Sequence, residues 1–328
     1  MKHIITAAFL FIAFICFPAV TPANISSYSY GNPTAAEQAH LEAINRARLN
    51  PVAEAANFGI DLNEGLAPAT ISNNPVEPLT MNAFLLSAAR AHSQDMINND
   101  YFDHNTQSNG ETPFVRMEDA GFQISSAGEN IAYRGSTGSI NALTTILQMH
   151  EDLFVDDGYA GRGHRINILR SGFKEVGLGT AFGQYEIYTN SYMITCDFGA
   201  ALDYSESFVL GVVYDDANSN SFYDSGEGIA NVTITIDDPS GSDTTTATSG
   251  GYGIPIANGS YTVTATLVSG ATVEKSLTIA GKNVKIDFLF SEFSTDNSPD
   301  DTTDPDTDTD AESSSDGGCF IQSTSVMN

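Results

Sequence analysis

The sequence predicts an α/β layered domain, then a small all-β domain of immunoglobulin-like kind, then a disordered acidic tail. Three observations predict it. Capped stretches with apolar residues at helical spacing recur between residues 37 and 154, short alternating runs separated by Gly or Asn begin at Glu175, and from Phe208 strand-like runs follow one another without a helix signal. Helices first and strands after, with helical pieces between, imply packed helix and sheet layers from about Glu37 to Asp203. A series of short strands with turn residues between them implies a sandwich over 208–290.

Taken in order, Thr34-Ala-Ala-Glu37 is a capping-box signature, and Leu41, Ile44 and Ala47 to Leu49 recur at helical spacing before Pro51 stops the run. This gives a helix over 37–50. Residues 53–78 are rich in Asn, Pro and Gly and read as irregular chain with one helical turn at most. Thr80 or Asn82 caps a second helix whose stripe is Leu85, Ala88, Ala89, His92 and Met96. Thr112, Pro113 and Gly121 punctuate a third short helix over 113–120. A fourth starts from Ser139 as cap and runs through Leu143, Ile146, Leu147, His150 and Phe154. Strands over 175–180, 185–188 and 192–198 read as an antiparallel meander. Further strands are expected over 208–214, 232–236, 244–248, 261–268, 273–279 and 284–290.

At 328 residues the chain is long enough for two domains and a tail. Residues 1–23 read as a secretory signal, with Lys2 as the positive start, an apolar run over 4–20 and Thr21-Pro-Ala23 as cleavage site; 24–36 is a leader. Export to an oxidising compartment follows, and no second apolar segment is long enough to span a bilayer. Of three cysteines, cleavage would remove Cys16 and leave Cys196 and Cys319 in dissimilar segments, so no disulfide scaffold is expected. The formal net charge of -28 argues against nucleic acid or an anionic membrane as partner, since both need Lys/Arg footprints. Residues 291–318 hold much of that charge and are too polar to bury a core.

The chemistry-bearing residues of the first domain sit in turn-like contexts: His104 in Asp103-His-Asn105, Glu129 in Gly128-Glu-Asn130 and His164 in Gly163-His-Arg165. Two imidazoles and a carboxylate suit a divalent transition metal such as zinc, or a general acid/base pair working with water. Their spacings match no zinc motif such as H-E-x-x-H.

Ala88-Ala-Arg-Ala-His-Ser-Gln-Asp-Met96, Tyr101-Phe-Asp-His104, Gly121-Phe122, Ala127-Gly-Glu-Asn-Ile131, Gly163-His-Arg-Ile-Asn-Ile-Leu169 and Val176-Gly-Leu-Gly179 together resemble the bacterial branch of the CAP superfamily. That superfamily, also called the SCP domain, groups cysteine-rich secretory proteins, antigen 5 and pathogenesis-related proteins. The resemblance covers roughly half the chain, about 37–204. It implies a CAP-type α-β-α sandwich with a cleft lined by two histidines and two acids, which in some members binds a divalent metal. Carried over by motif, the histidines are His104 and His164, the candidate zinc ligands, and the first acid is Glu129. The second acid is expected on the helix before the Gly-His motif. Here the chain departs from the pattern: it has no Trp, and Val155 to Arg162 is a longer insert. Glu151 is the expected second acid, with His150 in reserve. Asn130 and Arg165 are expected to orient the cleft. A metal-bound water between the histidines, with Glu129 as base, would attack an acyl or glycosidic bond.

In the second domain, Asp216, Asn218, Asn220 and Asp224, closed by Glu227, are spaced as in an acidic calcium loop. Hard oxygens without His or Cys suit calcium over zinc. The surrounding 211–232 resembles the B-type repeats of bacterial surface adhesins and related Cna-B-like modules, which implies a calcium-stiffened stalk. Gly318-Cys-Phe-Ile321 resembles a C-terminal sorting box, placed in the tail 319–328. Two functions stay open: hydrolysis of a peptide or cell-wall bond, or non-catalytic binding of a lipid, glycan or peptide outside the cell.

Overall fold

The computed structural model describes residues 28–202 and 206–293. The signal segment, residues 24–27 of the leader, the acidic spacer beyond Phe293, the sorting box, Cys16 and Cys319 lie outside the described residues.

The first half is built from six helices and four strands: α1 (Ala35–Leu49), α2 (Pro51–Asn57), β1 (Thr80–Met81), α3 (Ala83–Asn98), α4 (Pro113–Asp119), β2 (Ile124–Ser136), α5 (Ala142–Val155), α6 (Gly163–Ile168), β3 (Glu175–Tyr185) and β4 (Tyr188–Ala201). The expected capping box is present. Thr34 Oγ1 accepts from the Glu37 N–H, and the Glu37 carboxylate accepts from the Thr34 N–H, so the helix starts at Ala35. Pro51, expected to stop the chain's first helix, also opens a second. Asn50 caps α2 and Pro51 takes its first position, where a missing N–H costs nothing. Asn82 caps α3, Thr112 caps α4, and Asn141 rather than Ser139 caps α5.

The sheet order is β1-β3-β4-β2, with β1 parallel to β3 and the rest antiparallel. Alternation along the strands sends Val176, Leu178, Ile194, Cys196 and Phe198 to one face. There they pack with Leu41 and Ile44 of α1, Ile146, Met149 and Leu153 of α5, and Ile168 of α6. The opposite face receives α3. At Gly177 and Gly179 the helix comes so near that a Cβ would sit 2.0 Å from the Leu85 carbonyl carbon and 2.1 Å from that of Ala89. Only glycine allows this helix-on-sheet contact. The expected strand over 185–188 is instead the turn of a β3–β4 hairpin, with Glu186 at φ 50. The largest departure is β2. Its Gly, Ser, Glu and Asn content resembled a turn, yet it runs for 13 residues along β4 and puts Glu129 in mid-strand.

Two fully buried arginines act as backbone staples. Arg48 donates to the carbonyls of Glu77, Ile168, Arg170 and Phe173 at 2.7–3.3 Å. Arg165 does the same near the site described below.

The second half is β-rich: β5 (Ser207–Tyr214), β6 (Thr233–Ile236), β7 (Asp243–Thr245), β8 (Gly251–Ile256), β9 (Gly259–Thr266), β10 (Thr272–Ile279), β11 (Val284–Lys285) and β12 (Phe288–Leu289). One sheet runs β10-β9-β6-β7. In the other, β5 pairs antiparallel with β8 and parallel with β11 and β12. Side chains of both sheets, among them Val209, Val213, Ile234, Tyr252, Val263 and Phe288, share one core. The strand β8, Gly-Tyr-Gly-Ile-Pro-Ile, was absent from the expectation because Gly and Pro mask its alternation.

The two halves are directly bonded. Asn283 donates to the carbonyls of Pro78 and Lys174, both at 2.9 Å, and Lys285 meets Glu42 at 2.9 Å. All described residues fall in one contact unit.

Candidate functional site

The site is a pair of imidazole–carboxylate couples on either side of Glu129-Asn130. The loop after α3 brings His104 to β2, where its Nδ1 lies 2.7 Å from Glu129 Oε1. The other Glu129 oxygen accepts from Arg116 Nη2 at 2.6 Å, and Arg116 Nη1 also holds the His104 carbonyl at 2.9 Å. One guanidinium on α4 thus fixes both members of the couple. Behind them, His92 Nε2 on α3 bonds the Asp103 carbonyl at 3.0 Å. Burial pushes the His92 imidazole down.

His164 is the second residue of α6. Its Nδ1 lies 2.7 Å from Asp156 Oδ1, and its main-chain N–H donates to Asp156 Oδ2 at 2.9 Å. Asp156 caps the C-terminal end of α5 in the left-handed region, at φ 53. Burial would raise its carboxyl, but hydrogen bonds from the His164 ring and from the His164 and Arg165 N–H groups outweigh that and hold it below the usual range. The Tyr159 ring stands edge-on to His164, 5.0 Å between centroids.

Asn130 ties the couples together. Its Nδ2 donates to the His164 carbonyl at 3.0 Å, while Asn167 donates to Asn130 Oδ1 at 2.9 Å and to the Glu129 carbonyl at 3.3 Å. Arg165 donates to the carbonyls of Phe154, Val155, Leu62 and Glu64, locking the end of α5 against the chain before Asp156. Both residues expected to orient the cleft thus contact its main chain.

The expected second acid is corrected. Glu151 is exposed on the outer side of α5, and His150 is buried beside Glu54, 3.3 Å away, within the helical layer. The helical register turns Met149, His150, Leu153 and Phe154 inward and leaves Glu151 in solvent. The acid on His164 is Asp156, inside the 155–162 insert. The Asp-Asp-Gly sequence directly after an apolar helix end was its signal, since Asp tolerates the left-handed conformation that turns a carboxylate back onto the next helix.

Each imidazole is committed through Nδ1 to a carboxylate, which directs its Nε2 away from that partner. Among the described residues no group of three or more His, Cys, Asp and Glu side chains is arranged to hold a metal ion. A catalytic zinc draws on three protein ligands. The two expected zinc ligands, His104 and His164, each bond a carboxylate through Nδ1, and Glu129, the expected base, is held by His104 and Arg116.

In the acidic loop, Asn218 and Asn220 both donate through Nδ2 to Asp224 Oδ2 at 2.7 Å, Asp216 accepts from the N–H groups of Asn220 and Ser221, and Glu227 accepts from those of Ala217 and Asp224. The five expected side chains converge, closed by their own hydrogen bonds.

Replacing Asp156 with Asn is expected to lower stability at pH 7 by about 1.5–3 kcal/mol, the range for hydrogen bonds to a charged group. Since its folded value is depressed, the contribution is complete above the unfolded value near 3.9 and is lost as pH falls through the lower folded one. Denaturation midpoints of wild type and Asp156→Asn should therefore converge below about pH 4. A constant gap would contradict the couple.

Residues 41–198 match the family model for CAP, the cysteine-rich secretory protein family. The uncharacterized protein YkwD of Bacillus subtilis (strain 168) is 35% identical over 104 residues, 32% of this chain and 35% of YkwD. An extracellular SCP-domain protein of Bacillus anthracis str. Ames is 25% identical over 38% of this chain and 34% of its own, with TM-score 0.28. An outer surface protein of Borrelia burgdorferi is 13% identical over 38% of this chain and 80% of its own, also with TM-score 0.28. The chain thus spans about a third of the length of each Bacillus protein. The segment 41–198, which contains His104, Glu129, Asp156 and His164, is a CAP domain of the cysteine-rich secretory protein family.

Proposed function

We infer that the CAP domain works outside the cell as a hydrolase acting on a peptide or cell-wall bond, with His104 and His164 as water-directed acid and base. The observation that carries this reading is the pair of 2.7 Å contacts from each Nδ1 to its own buried carboxylate. Such a contact selects one tautomer, orients the ring and stabilises the imidazolium formed when Nε2 takes a proton. One imidazole activates water while the other protonates the leaving group. The secretory-signal pattern of residues 1–23 supports an extracellular setting. No helix among the described residues is long and apolar enough to cross a membrane.

A second reading is non-catalytic binding of a peptide, glycan or lipid. It is favoured by the side-chain partners of the two imidazoles, which are carboxylates and not a Ser or Cys nucleophile. In either case the β-rich half serves as a spacer of immunoglobulin-like kind, stiffened by calcium at Asp216, Asn218, Asn220, Asp224 and Glu227. The convergence of those side chains supports this part.

The test is turnover of peptide and cell-wall fragments by the full chain, beside His104→Ala and His164→Ala, with and without chelator. Hydrolysis predicts a loss of about 100-fold or more in each variant, in line with general acid–base contributions. Binding without turnover in wild type would select the second reading, and chelator-sensitive turnover would restore the zinc mechanism.

A further inference from the structure

Beside Glu129 lies an acid that the two couples do not use. Asp197 on β4 is the direct register partner of Glu129 on β2, so the two carboxyl groups project side by side from the same face of the sheet. Asp197 is fully buried, and Glu129 is 8% exposed.

The groups around Asp197 can be followed element by element. Its other strand partner is Gly177 on β3, which has no side chain and lies against α3. On α4, Arg116 gives Nη2 to Glu129 and Nη1 to the carbonyls of His104 and Glu111, and its Nε has no partner. On α3, His92, whose imidazole burial pushes down, bonds the Asp103 carbonyl. Cys196 points to the other face of β4, among the residues packed on α1 and α5. The charges are therefore unequal. Two adjacent carboxyls share one guanidinium, and its short contact goes to Glu129. Neither Asp197 oxygen receives a hydrogen bond from any described donor.

Two buried acceptors facing one another need a proton between them, and like charges so close do not both ionise. We propose that Asp197 is a positioning residue, kept as the neutral carboxylic acid, whose O–H donates to Glu129 and fixes that carboxylate for His104. Burial first, then the adjacent Glu129 charge, pushes the Asp197 carboxyl well up against the opposing pull of Arg116. No bond is made or broken: the proton remains on Asp197 and Glu129 keeps its charge. The proposal deepens the reading of His104–Glu129 as a working couple and rests on it.

Three measurements on the full chain test it, none needing substrate. Infrared spectra with aspartate selectively labelled with carbon-13 should show a protonated carboxyl band at pH 7 that vanishes in Asp197→Asn. A raised folded value also means that the unfolded chain releases its proton first as pH rises, so a penalty on folding accumulates until the folded value is reached and remains above it. Asp197→Asn removes that penalty, so its melting midpoint should exceed that of wild type, by a margin that widens from pH 4 to pH 7. The downfield proton on His104 Nδ1 should persist in Asp197→Asn, whose amide can donate to Glu129, and be lost in Asp197→Ala. An ionised Asp197, held through water to Arg116 Nε, would give no band and a lower Asn midpoint, and would overturn the proposal. So would a His104 proton that survives in the Ala variant. Should the Asn variant fail to fold, the wild-type band and its disappearance on raising the pH still decide. Because these readouts do not involve turnover, the proposal and the hydrolase reading fail separately.

Discussion

Lowering the pH from 7 to 4 is expected to destabilise the CAP domain by roughly 3 kcal/mol through His40 alone, taking 1.36 kcal/mol per pH unit below the unfolded value of about 6.5. His40 on α1 is buried edge-on to His150 on α5, 5.6 Å between ring centroids, and the Nδ1 of each ring has no partner. Burial, reinforced by repulsion from His150, pushes the His40 imidazole down to about 3. As pH falls through 6.5 the unfolded chain takes up a proton that the folded one refuses, so stability declines until the folded value is reached. His150 is also lowered by burial, against the pull of Glu54, and Arg46 holds both Glu54 oxygens at 2.6 and 2.8 Å. Replacing His40 with Leu, of similar size, should leave stability at pH 7 within about 1.5 kcal/mol and make the variant more stable than wild type at pH 4. Urea denaturation of both proteins at the two pH values measures the difference. Equal acid slopes would mean that His40 is not buried in the neutral form.

What could be read from the sequence followed from how local each determinant is. Helix starts are written in three or four residues, and Thr34, Asn82 and Thr112 act as caps in the structure. His104, Glu129 and His164 were identifiable because they sit inside short ordered motifs. What escaped depends on partners distant in the chain. The strand β2 holds its polar, Gly-containing residues in extended form because β4 supplies a ladder from Ile124 to Ser136. Asp156 matters only because α6 places a main-chain N–H and an imidazole over it. The anchoring of both imidazoles escaped for the same reason: His104, Glu129 and His164 were visible, but not Arg116 and Asp156, which determine where their donors point. Nor were the staples legible, since Arg48 and Arg165 join segments more than 100 residues apart through carbonyls.

Arg165 shows what such a staple contributes. Its guanidinium is completely buried and donates to Phe154 at 2.6 Å, Leu62 at 2.9 Å, Glu64 at 3.1 Å and Val155. Phe154 and Val155 end α5, where carbonyls have no partner within the helix and the macrodipole favours a cation. Burial lowers this guanidinium from its ordinary range, and Arg162 lowers it further, yet it remains charged at neutral pH. Replacing Arg165 with Met fills the volume and leaves several buried carbonyls unsatisfied, an expected loss of about 3–5 kcal/mol at 1–3 kcal/mol for each such group after relaxation. Lys, a single point donor in place of a planar fork, should recover only a minor part. Because Asp156 follows Val155 directly and His164 precedes Arg165, the same change releases both ends of the second couple. In molecules that remain folded, the His164–Asp156 contact should loosen while His104–Glu129 persists, and nitrogen-15 spectra of the two imidazoles can distinguish these outcomes. Equal loss at both histidines would mean that Arg165 supports the whole fold and has no separate part in holding His164.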